Sequence, residues 1–442
     1  MATNPVRKIQ ASSFDSPLDI NTIEPLHFLA SLTPSLDIPY LTMTIDWTPA
    51  GGSPGREAPP ELLRSELHSS LRHEEGASRR PGKTEIRKKL TELLDTLEPR
   101  SDRHVKLQAD IESLDVWLDR ELDPASQGVY IVSGPDLLLP LALAVPVETN
   151  LWYEPFPVLQ PLAHIAEDYA TYAVLAADQE NAELSYLTQG VRSATVRLQS
   201  NLYPRHQQTG GPSQRRYQNR AGERTSHFAR SIVEQVENAL TEWDVPVIVP
   251  VGSHTFLAEI RNVAPESVAS RLTETVPLHL NPWPSMHDLA EATSAVDLAA
   301  ERGREAAAVA EVRELMGQNQ AVAGTVDVLN ALQAHQVRQL VMNEDFSETG
   351  WADLTLPLYG VGEVPTEHPT GGDVANLVPM DLAEAMIRLT LQSDGTIELV
   401  HTQVPMDSTE GVKVKGSDIP RSEAAAQLDE VGGVGAVLRY TT

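Results

Sequence analysis

Residues 203–240 read YPRHQQTGGPSQRRYQNRAGERTSHFARSIVEQVENAL, a glycine-rich turn followed by one long amphipathic segment. The Gly210-Gly211-Pro212 tripeptide predicts a loop, because glycine takes positive φ and lets another backbone approach closely. After the loop, four apolar residues recur at the four-residue spacing of one helix face: Phe228, Ile232, Val236 and Leu240. The stretch therefore predicts a loop that leads into a helix with one buried side.

The same part of the chain is basic, whereas the protein as a whole is acidic. Between Val191 and Arg230 there are eight arginines, no lysine and one acidic residue, Glu223, a net charge of +7. The whole chain carries −28, so all other residues together carry −35. Arginine binds phosphate through paired N–H donors, and a local reversal of charge favours anion binding. In this segment, the basic island, we predict five RNA-binding residues: Arg205, Arg215, Arg216, Arg220 and Arg224.

Gly-Gly-x-Ser, followed by a helix start rich in arginine and aromatic residues, resembles the GGQ loop of the archaeal and eukaryotic class-I peptide-chain release factors. Pelota and bacterial release-factor-like lineages belong to the same superfamily, and the form GGPSQRRYQNR is most similar to the bacterial ones. The order of elements around the loop also resembles the family. It comprises YAVLAAD (172–178), AELSYLTQG (182–190), VRSATVRL (191–198), the loop, a helix over 223–242 and VPVIVPVG (245–252).

This resemblance implies a mixed α/β and α+β protein of three domains. Residues 1–160 would form an N-terminal αβ domain, and the sequence of its first part, residues 1–20, predicts a flexible lead. Residues 161–278 would form an RNase-H-like middle domain that carries the loop. Residues 279–442 would form a C-terminal αβ sandwich similar to a ribosomal protein.

Periodicity and turn residues predict the remaining elements. In the N-terminal part these are strands at 39–47, 128–133 and 137–147, helices at 83–98 and 103–122, and a proline-punctuated linker at 150–162. In the C-terminal part they are helices at 285–317 and 379–391, a strand at 396–402 and a mobile loop at 359–373. The resemblance implies a helix at 324–332 and strands at 337–342 and 432–440.

Both basic regions of the chain also have a purely structural interpretation. Arg216, Arg220 and Arg224 form a four-residue row on another face than the apolar stripe, and such a row is commonly a solvated helix surface. A second basic patch is usually a solvated face, with contact to ribosomal RNA as the alternative: Arg79, Arg80, Lys83, Arg87, Lys88 and Lys89.

Composition limits the chemistry that the chain can support. Apolar residues make up 41 %, which predicts a globular protein, and the absence of cysteine excludes disulfides and thiolate metal sites. The thirteen histidines show no ligand spacing, and no phosphate-binding Walker motif occurs, so we expect no metal and no cofactor. No apolar run reaches membrane-spanning length and the first residues lack a signal-peptide core, so we expect a cytoplasmic protein without membrane or DNA partners.

One residue departs from the family pattern. The family glutamine that positions water at the peptidyl-tRNA ester corresponds to Pro212, which has neither a side-chain amide nor a backbone N–H. Gln214 could take over the role only in a rearranged loop. The candidate catalytic residues are therefore Gly210, Gly211 and Gln214. The stop-codon-reading motifs of the release factors are absent, so we infer no codon recognition.

The resemblance implies a ribosome-associated factor that docks in the A site as a tRNA mimic. Its partners would be 23S rRNA, the P-site tRNA, the stalk base and a translational GTPase. Two mechanisms compete: rescue by peptidyl-tRNA hydrolysis with Gln214, and hibernation of the Balon type without hydrolysis, which Pro212 favours. A tRNA-cutting nuclease and an acidic protein-interaction module without an RNA role stay open as alternatives.

Overall fold

The protein has the mixed α/β architecture that the sequence predicts. The computed structural model describes residues 6–13, 23–48, 80–120, 122, 126–168, 172–188, 191–200, 214–241, 245, 247–277, 286–403 and 421–440. Within these ranges the strands form four sheets, and helices pack on their faces. No helix in the described part of the chain combines the length and the apolar character needed to cross a membrane.

An antiparallel sheet of order β4-β3-β2-β5 organises the N-terminal part. Its strands are β2 (Tyr40–Asp46), β3 (Gly128–Gly134), β4 (Leu137–Leu143) and β5 (Asn150–Glu154). Alternate residues of β2 and β3 face the helices α2 (Pro81–Thr96) and α3 (Asp102–Arg120), where Met43 and Ile131 share a core with Leu90. A shorter helix, α1 (Ile23–Ala30), precedes this sheet and packs elsewhere.

Two predictions for this region are wrong. The proposed linker at 150–162 contains β5, which pairs with β2, and the first residues of α4 (Gln160–Asp168). Leu159 is fully buried. The prolines within residues 150–162 interrupt the strand pattern, but the segment remains packed against the rest of the protein. The proposed flexible lead contains β1 (Val6–Ser13), which pairs antiparallel with a strand almost 190 residues later in the chain.

The middle part is a six-stranded sheet of order β1-β8-β7-β6-β9-β10. After β1, its strands are β6 (Tyr172–Ala177), β7 (Asn181–Thr188), β8 (Val191–Ser200), β9 (Ile248–Gly252) and β10 (Val276–Pro277). β6 pairs with β9 in parallel, and β7 and β8 form an antiparallel hairpin beside β6. The long helix α5 (Gln214–Leu240) lies on one face together with α6 (His254–Val263), and α7 (Glu266–Ala269) follows.

The C-terminal part contains two further sheets. The first has the order β11-β17-β12-β16 and the second the order β14-β13-β15. Their strands are β11 (Ala321–Ala323), β12 (Val337–Asn343), β13 (Thr349–Asp353), β14 (Tyr359–Val361), β15 (Leu377–Asp381), β16 (Thr396–Val400) and β17 (Val434–Leu438). The helices are α8 (Met286–Met316), α9 (Thr325–Gln333), α10 (Leu382–Gln392) and α11 (Glu423–Asp429).

The segment 359–373, expected to be a mobile loop, is held in place at two points. Tyr359–Val361 pairs with β13 as strand β14. His368 is buried, and its Nε2 lies 2.6 Å from Oδ2 of Asp353. Because Nδ1 of His368 accepts from the Thr370 N–H, Nε2 is the nitrogen that donates to Asp353. Residues 362–373 contain no helix or strand, as predicted, whereas the strand at 359–361 and the buried His368 were not predicted, because glycine and proline content gives no information on contacts with a distant strand.

One hydrophobic core joins the first and last parts of the chain. Its members include Leu29 of α1, Tyr130 of β3, Leu159 and Met386 of α10. α10 therefore contacts elements assigned to the predicted N-terminal domain as well as its own sheets. The predicted division at residues 160 and 278 stays a prediction.

Candidate functional site

The Gly-Gly-Pro loop connects an inner strand of the six-stranded sheet to its longest helix. β8 ends at Ser200, paired on one side with β7 and on the other with β1. Helix α5 begins at Gln214, so thirteen residues join the two elements. These connecting residues lie outside the described part of the chain, and they include Arg205, Gly210, Gly211 and Pro212.

The other predicted site residues belong to the first turns of α5. The helix begins nine residues earlier than the predicted start at 223, so Gln214, Arg215, Arg216, Arg220 and Arg224 all have helical backbone. Only the backbone is described for these positions. With about 3.6 residues per turn, positions 216 and 220 lie opposite the buried stripe, whereas 214 and 215 lie on the same side as it. Arg215 therefore lies on a different side of α5 from the row that begins at Arg216.

The second half of α5 is firmly anchored. Phe228, Ile232 and Val236 are buried, as their spacing predicts. The ring of Phe228 stacks on that of Phe256 in α6, with centroids 5.6 Å apart. The hydroxyl of Ser226 donates to the Glu259 carboxylate at the same contact. The helix is about 40 Å long, and its described buried stripe begins about 20 Å from its start.

One arginine of the basic island is committed to the sheet. Arg197 of β8 donates from Nε to Oε2 of Glu183 at 2.6 Å. Glu183 is almost completely buried and also accepts from the Ser185 hydroxyl. Removing the cation that pairs with a buried carboxylate strongly destabilises the folded state, so Arg197 has a structural role. The net charge that the island can offer to a ligand is accordingly smaller than +7.

The second basic patch is neutralised by contacts within the protein. Arg87 lies 2.7 Å from Asp115, and Lys83 pairs with Asp119, both across the α2–α3 contact. Lys88 and Lys89 pair with glutamates on their own helix, and Lys89 also donates to a backbone carbonyl. Arg79 lies outside the described residues. Of the two interpretations of this patch, the geometry favours the structural one.

Arg80 illustrates the structural role of the patch most clearly. Its guanidinium donates to the backbone carbonyl of Trp47 and lies over the indole ring, 5.4 Å from the centroid. Burial lowers the pKa of Arg80, and the nearby Asp46 carboxylate opposes that shift. This contact fixes the start of α2 against the end of β2.

One group of side chains has the composition of a metal site. Glu301 and Glu305 of α8 and His401, just after β16, place one potential ligand atom each within 4.8 Å of the others. Sequence spacing does not reveal this cluster, because about a hundred residues separate the glutamates from the histidine. Within the described ranges, it is the cluster in which at least three potential metal ligands lie this close together.

The middle of the chain matches one protein family. Residues 157–298 match the model of bacterial archaeo-eukaryotic release factor family 10. This range begins before α4, ends within α8, and contains the basic island and the whole six-stranded sheet except β1. No curated protein matches the sequence.

Three solved structures are similar to the chain. One is the archaeal translation termination factor aRF1, with 14 % identity, coverage of 95 % of this chain and 97 % of that chain, and a TM-score of 0.23. A second is Dom34 of S. cerevisiae, with 11 % identity, coverage of 71 % and 73 %, and a TM-score of 0.37. The third is archaeal Pelota in a model of ribosome-bound Pelota and ABCE1, with 13 % identity, coverage of 71 % and 78 %, and a TM-score of 0.38. The family match over residues 157–298 confirms the predicted resemblance to the bacterial lineage of the archaeo-eukaryotic release-factor superfamily.

Proposed function

We propose that the protein is a cytoplasmic, ribosome-associated translation factor that docks in the A site as a tRNA mimic. The Gly210-Gly211 loop would extend towards the peptidyl-transferase centre. The observation that supports this proposal is the match over 157–298 to a bacterial release-factor family, because the matched range contains the loop. The C-terminal part would contact the stalk base or a translational GTPase.

Charge indicates how such docking would work. Ribosomal and transfer RNA present dense phosphate, and this protein carries −28 overall, so the rest of its surface repels RNA. Attraction has to come from the basic island, where Arg216 and Arg220 occupy helix positions away from the buried stripe. The neutralised second patch is expected to contribute little. Binding that depends on a few phosphate contacts weakens steeply as salt is added.

The loop chemistry favours hibernation over rescue. Pro212 supplies no N–H and no side-chain amide at the position of the family glutamine. Gln214 is the first residue of α5, so its backbone is held in helical geometry two residues beyond that position. Replacing the missing glutamine with Gln214 would require the loop to advance by two residues or the helix to unwind. We therefore propose that the factor occupies an idle ribosome without hydrolysing peptidyl-tRNA.

A peptide-release assay on ribosomes that carry peptidyl-tRNA tests the proposed mechanism. The wild-type protein is expected to release peptide slowly or not at all, and Pro212→Gln is expected to raise the rate. One positioned hydrogen-bond donor commonly changes such rates by about two to three orders of magnitude. The matched control is Gln214→Ala, which should leave the low rate unchanged.

The opposite result would identify a rescue enzyme. If the wild type releases peptide at the rate of a release factor and Gln214→Ala abolishes that release, Gln214 is the working glutamine. Electrophoresis of the tRNA recovered from the same reactions tests whether the protein is a tRNA-cutting nuclease. Intact tRNA is expected, whereas a shortened tRNA would replace both docking mechanisms with RNA cleavage.

A further inference from the structure

Helix α8 places two carboxylates next to the four-stranded sheet of the C-terminal part. Its residues Ala308, Val309 and Val312 form a buried contact with Val341 of β12 and Val400 of β16. Just before this apolar contact, Glu301 and Glu305 occupy positions four residues apart and therefore share one side of the helix. That side meets the end of β16.

His401 lies directly beside the two glutamates. Its Nδ1 is 2.7 Å from Oε1 of Glu305 and 3.9 Å from Oε1 of Glu301. The side chain of Glu305 is only 3 % exposed. In a complex with metal–ligand distances near 2.1 Å, neighbouring ligand atoms are about 3.0 to 3.5 Å apart. Small side-chain movements would therefore bring these three atoms into one coordination sphere.

A third glutamate on the strand faces the same cluster. Glu398 pairs with Val341 in the sheet and alternates with Leu399, so it shares the side of Val400 that faces α8. The residue is nine-tenths buried. Within the described ranges, no hydrogen bond or ion pair reaches its carboxylate. Burial raises the pKa of Glu398, Arg304 and His401 oppose that shift, and the Glu305 charge adds to it.

The charge of Glu305 raises the pKa of Glu398, so two buried carboxylates of the cluster repel each other. The Nδ1 of His401 contacts the Glu305 carboxylate, whereas Glu398 has no hydrogen bond or ion pair to a described residue. A buried carboxylate without a partner is costly. A divalent ion at this point would bond the carboxylates that repel one another and would use the histidine nitrogen as a further ligand.

We propose that Glu301, Glu305, Glu398 and His401 bind one divalent transition-metal ion. Imidazole nitrogen with carboxylate oxygen is the ligand set that Zn²⁺ and Mn²⁺ accept in proteins. The ion would join α8 to the end of β16, and it would stabilise the C-terminal part of the molecule. This proposal reverses the expectation from histidine spacing alone, and it is independent of ribosome binding.

Metal binding can be measured on the full-length chain after treatment with EDTA and dialysis. Zn²⁺ or Mn²⁺ is added, bound metal is counted by elemental mass spectrometry, and thermal unfolding is followed. We expect one ion per chain. At a hundredfold excess over the dissociation constant, the unfolding temperature should rise by about 5 °C.

Two variants separate the metal site from a simple ion pair. Glu398→Gln should abolish the metal-dependent rise while leaving the metal-free protein as stable as the wild type or more stable, because it removes a buried charge. His401→Gln should also abolish the rise. The matched control is Glu311→Gln, which lies on the same helix in an exposed pair with Arg338 and should keep the full response.

Several outcomes would overturn the proposal. These are the absence of stoichiometric metal, an equal response to Mg²⁺ that indicates general binding to acidic surface, and an undiminished response in Glu398→Gln. Destabilisation of the metal-free protein by Glu398→Gln would likewise show that the carboxylate has a structural partner.

Discussion

Arg388 and Glu384, one turn apart on α10, together hold a segment that lies 224 to 231 residues earlier in the chain. Arg388 Nη2 donates to the Pro157 carbonyl at 2.5 Å and lies 3.4 Å from Oε1 of Glu384. The Glu384 carboxylate accepts from the backbone N–H groups of Leu159 and Gln160, at 2.9 and 3.0 Å. Burial raises the pKa of Glu384, and the Arg388 charge opposes that shift. The pair therefore fixes the start of α4 against the C-terminal part.

Replacing Arg388 with methionine should strongly destabilise the protein. The fully buried guanidinium also donates to the carbonyls of Leu29 and Ala30, so the substitution removes its three carbonyl contacts and leaves the Glu384 charge without its cation. Breaking a buried pair from one side costs about 3–5 kcal/mol. Urea unfolding monitored by tryptophan fluorescence measures the loss. The control Arg338→Met breaks an exposed pair and should cost about 1 kcal/mol or less. Equal effects of the two substitutions would contradict a structural role for the buried pair.

The His368–Asp353 contact predicts a loss of stability in acid. Burial alone would raise the pKa of Asp353, but hydrogen bonds from the backbone and hydroxyl of Thr355, from His368 and from Leu356 N–H lower it to about 2. A lowered carboxylate pKa stabilises the folded state above the unfolded value of 3.8, and this contribution disappears as pH falls towards 2. The stability difference between wild type and Asp353→Asn should therefore shrink between pH 4 and 2. A difference that is constant across this range would show that the charge of Asp353 contributes nothing.

Phe228 is expected to stabilise the protein by anchoring α5 to α6. Phe228→Ala removes the stacking on Phe256 and opens a cavity, at a cost of about 3–5 kcal/mol. Calorimetry measures this change. The control His227→Ala alters the exposed neighbouring position and should have little effect. Similar unfolding temperatures for the two variants would mean that the packing of α5 is not limiting for stability.

Local patterns in the sequence predicted helices and their buried faces well. The stripe at Phe228, Ile232 and Val236 is buried as expected, and α8 falls within one residue of its predicted bounds at each end. Four-residue spacing is a property of the helix itself, so it needs no knowledge of the partner surface. Gly210 and Gly211 lie outside the described residues, so the loop at these positions stays a prediction.

Features that depend on distant residues were not predictable in this way. β1 pairs with β8, and nothing near residues 6–13 indicates that partner. Arg87 counts as free positive charge in the sequence, yet Asp115 on the next helix neutralises it. The cluster of Glu301, Glu305 and His401 is likewise produced by the packing of α8 on β16. Composition and spacing describe local segments, whereas these contacts require the tertiary fold.

The central claim is that the basic island docks this acidic protein on the ribosome. Co-sedimentation with ribosomes across a series of salt concentrations tests it most directly. The double variant Arg216→Ala/Arg220→Ala is compared with Arg87→Ala/Lys88→Ala, which removes two cations from the neutralised patch. We expect the wild type and the second variant to bind ribosomes with an affinity that falls steeply as salt rises. The first variant should not bind, and its unfolding temperature should equal that of the wild type. Binding that is insensitive to salt, or equally strong in both variants, would contradict the account and favour an acidic protein-interaction module.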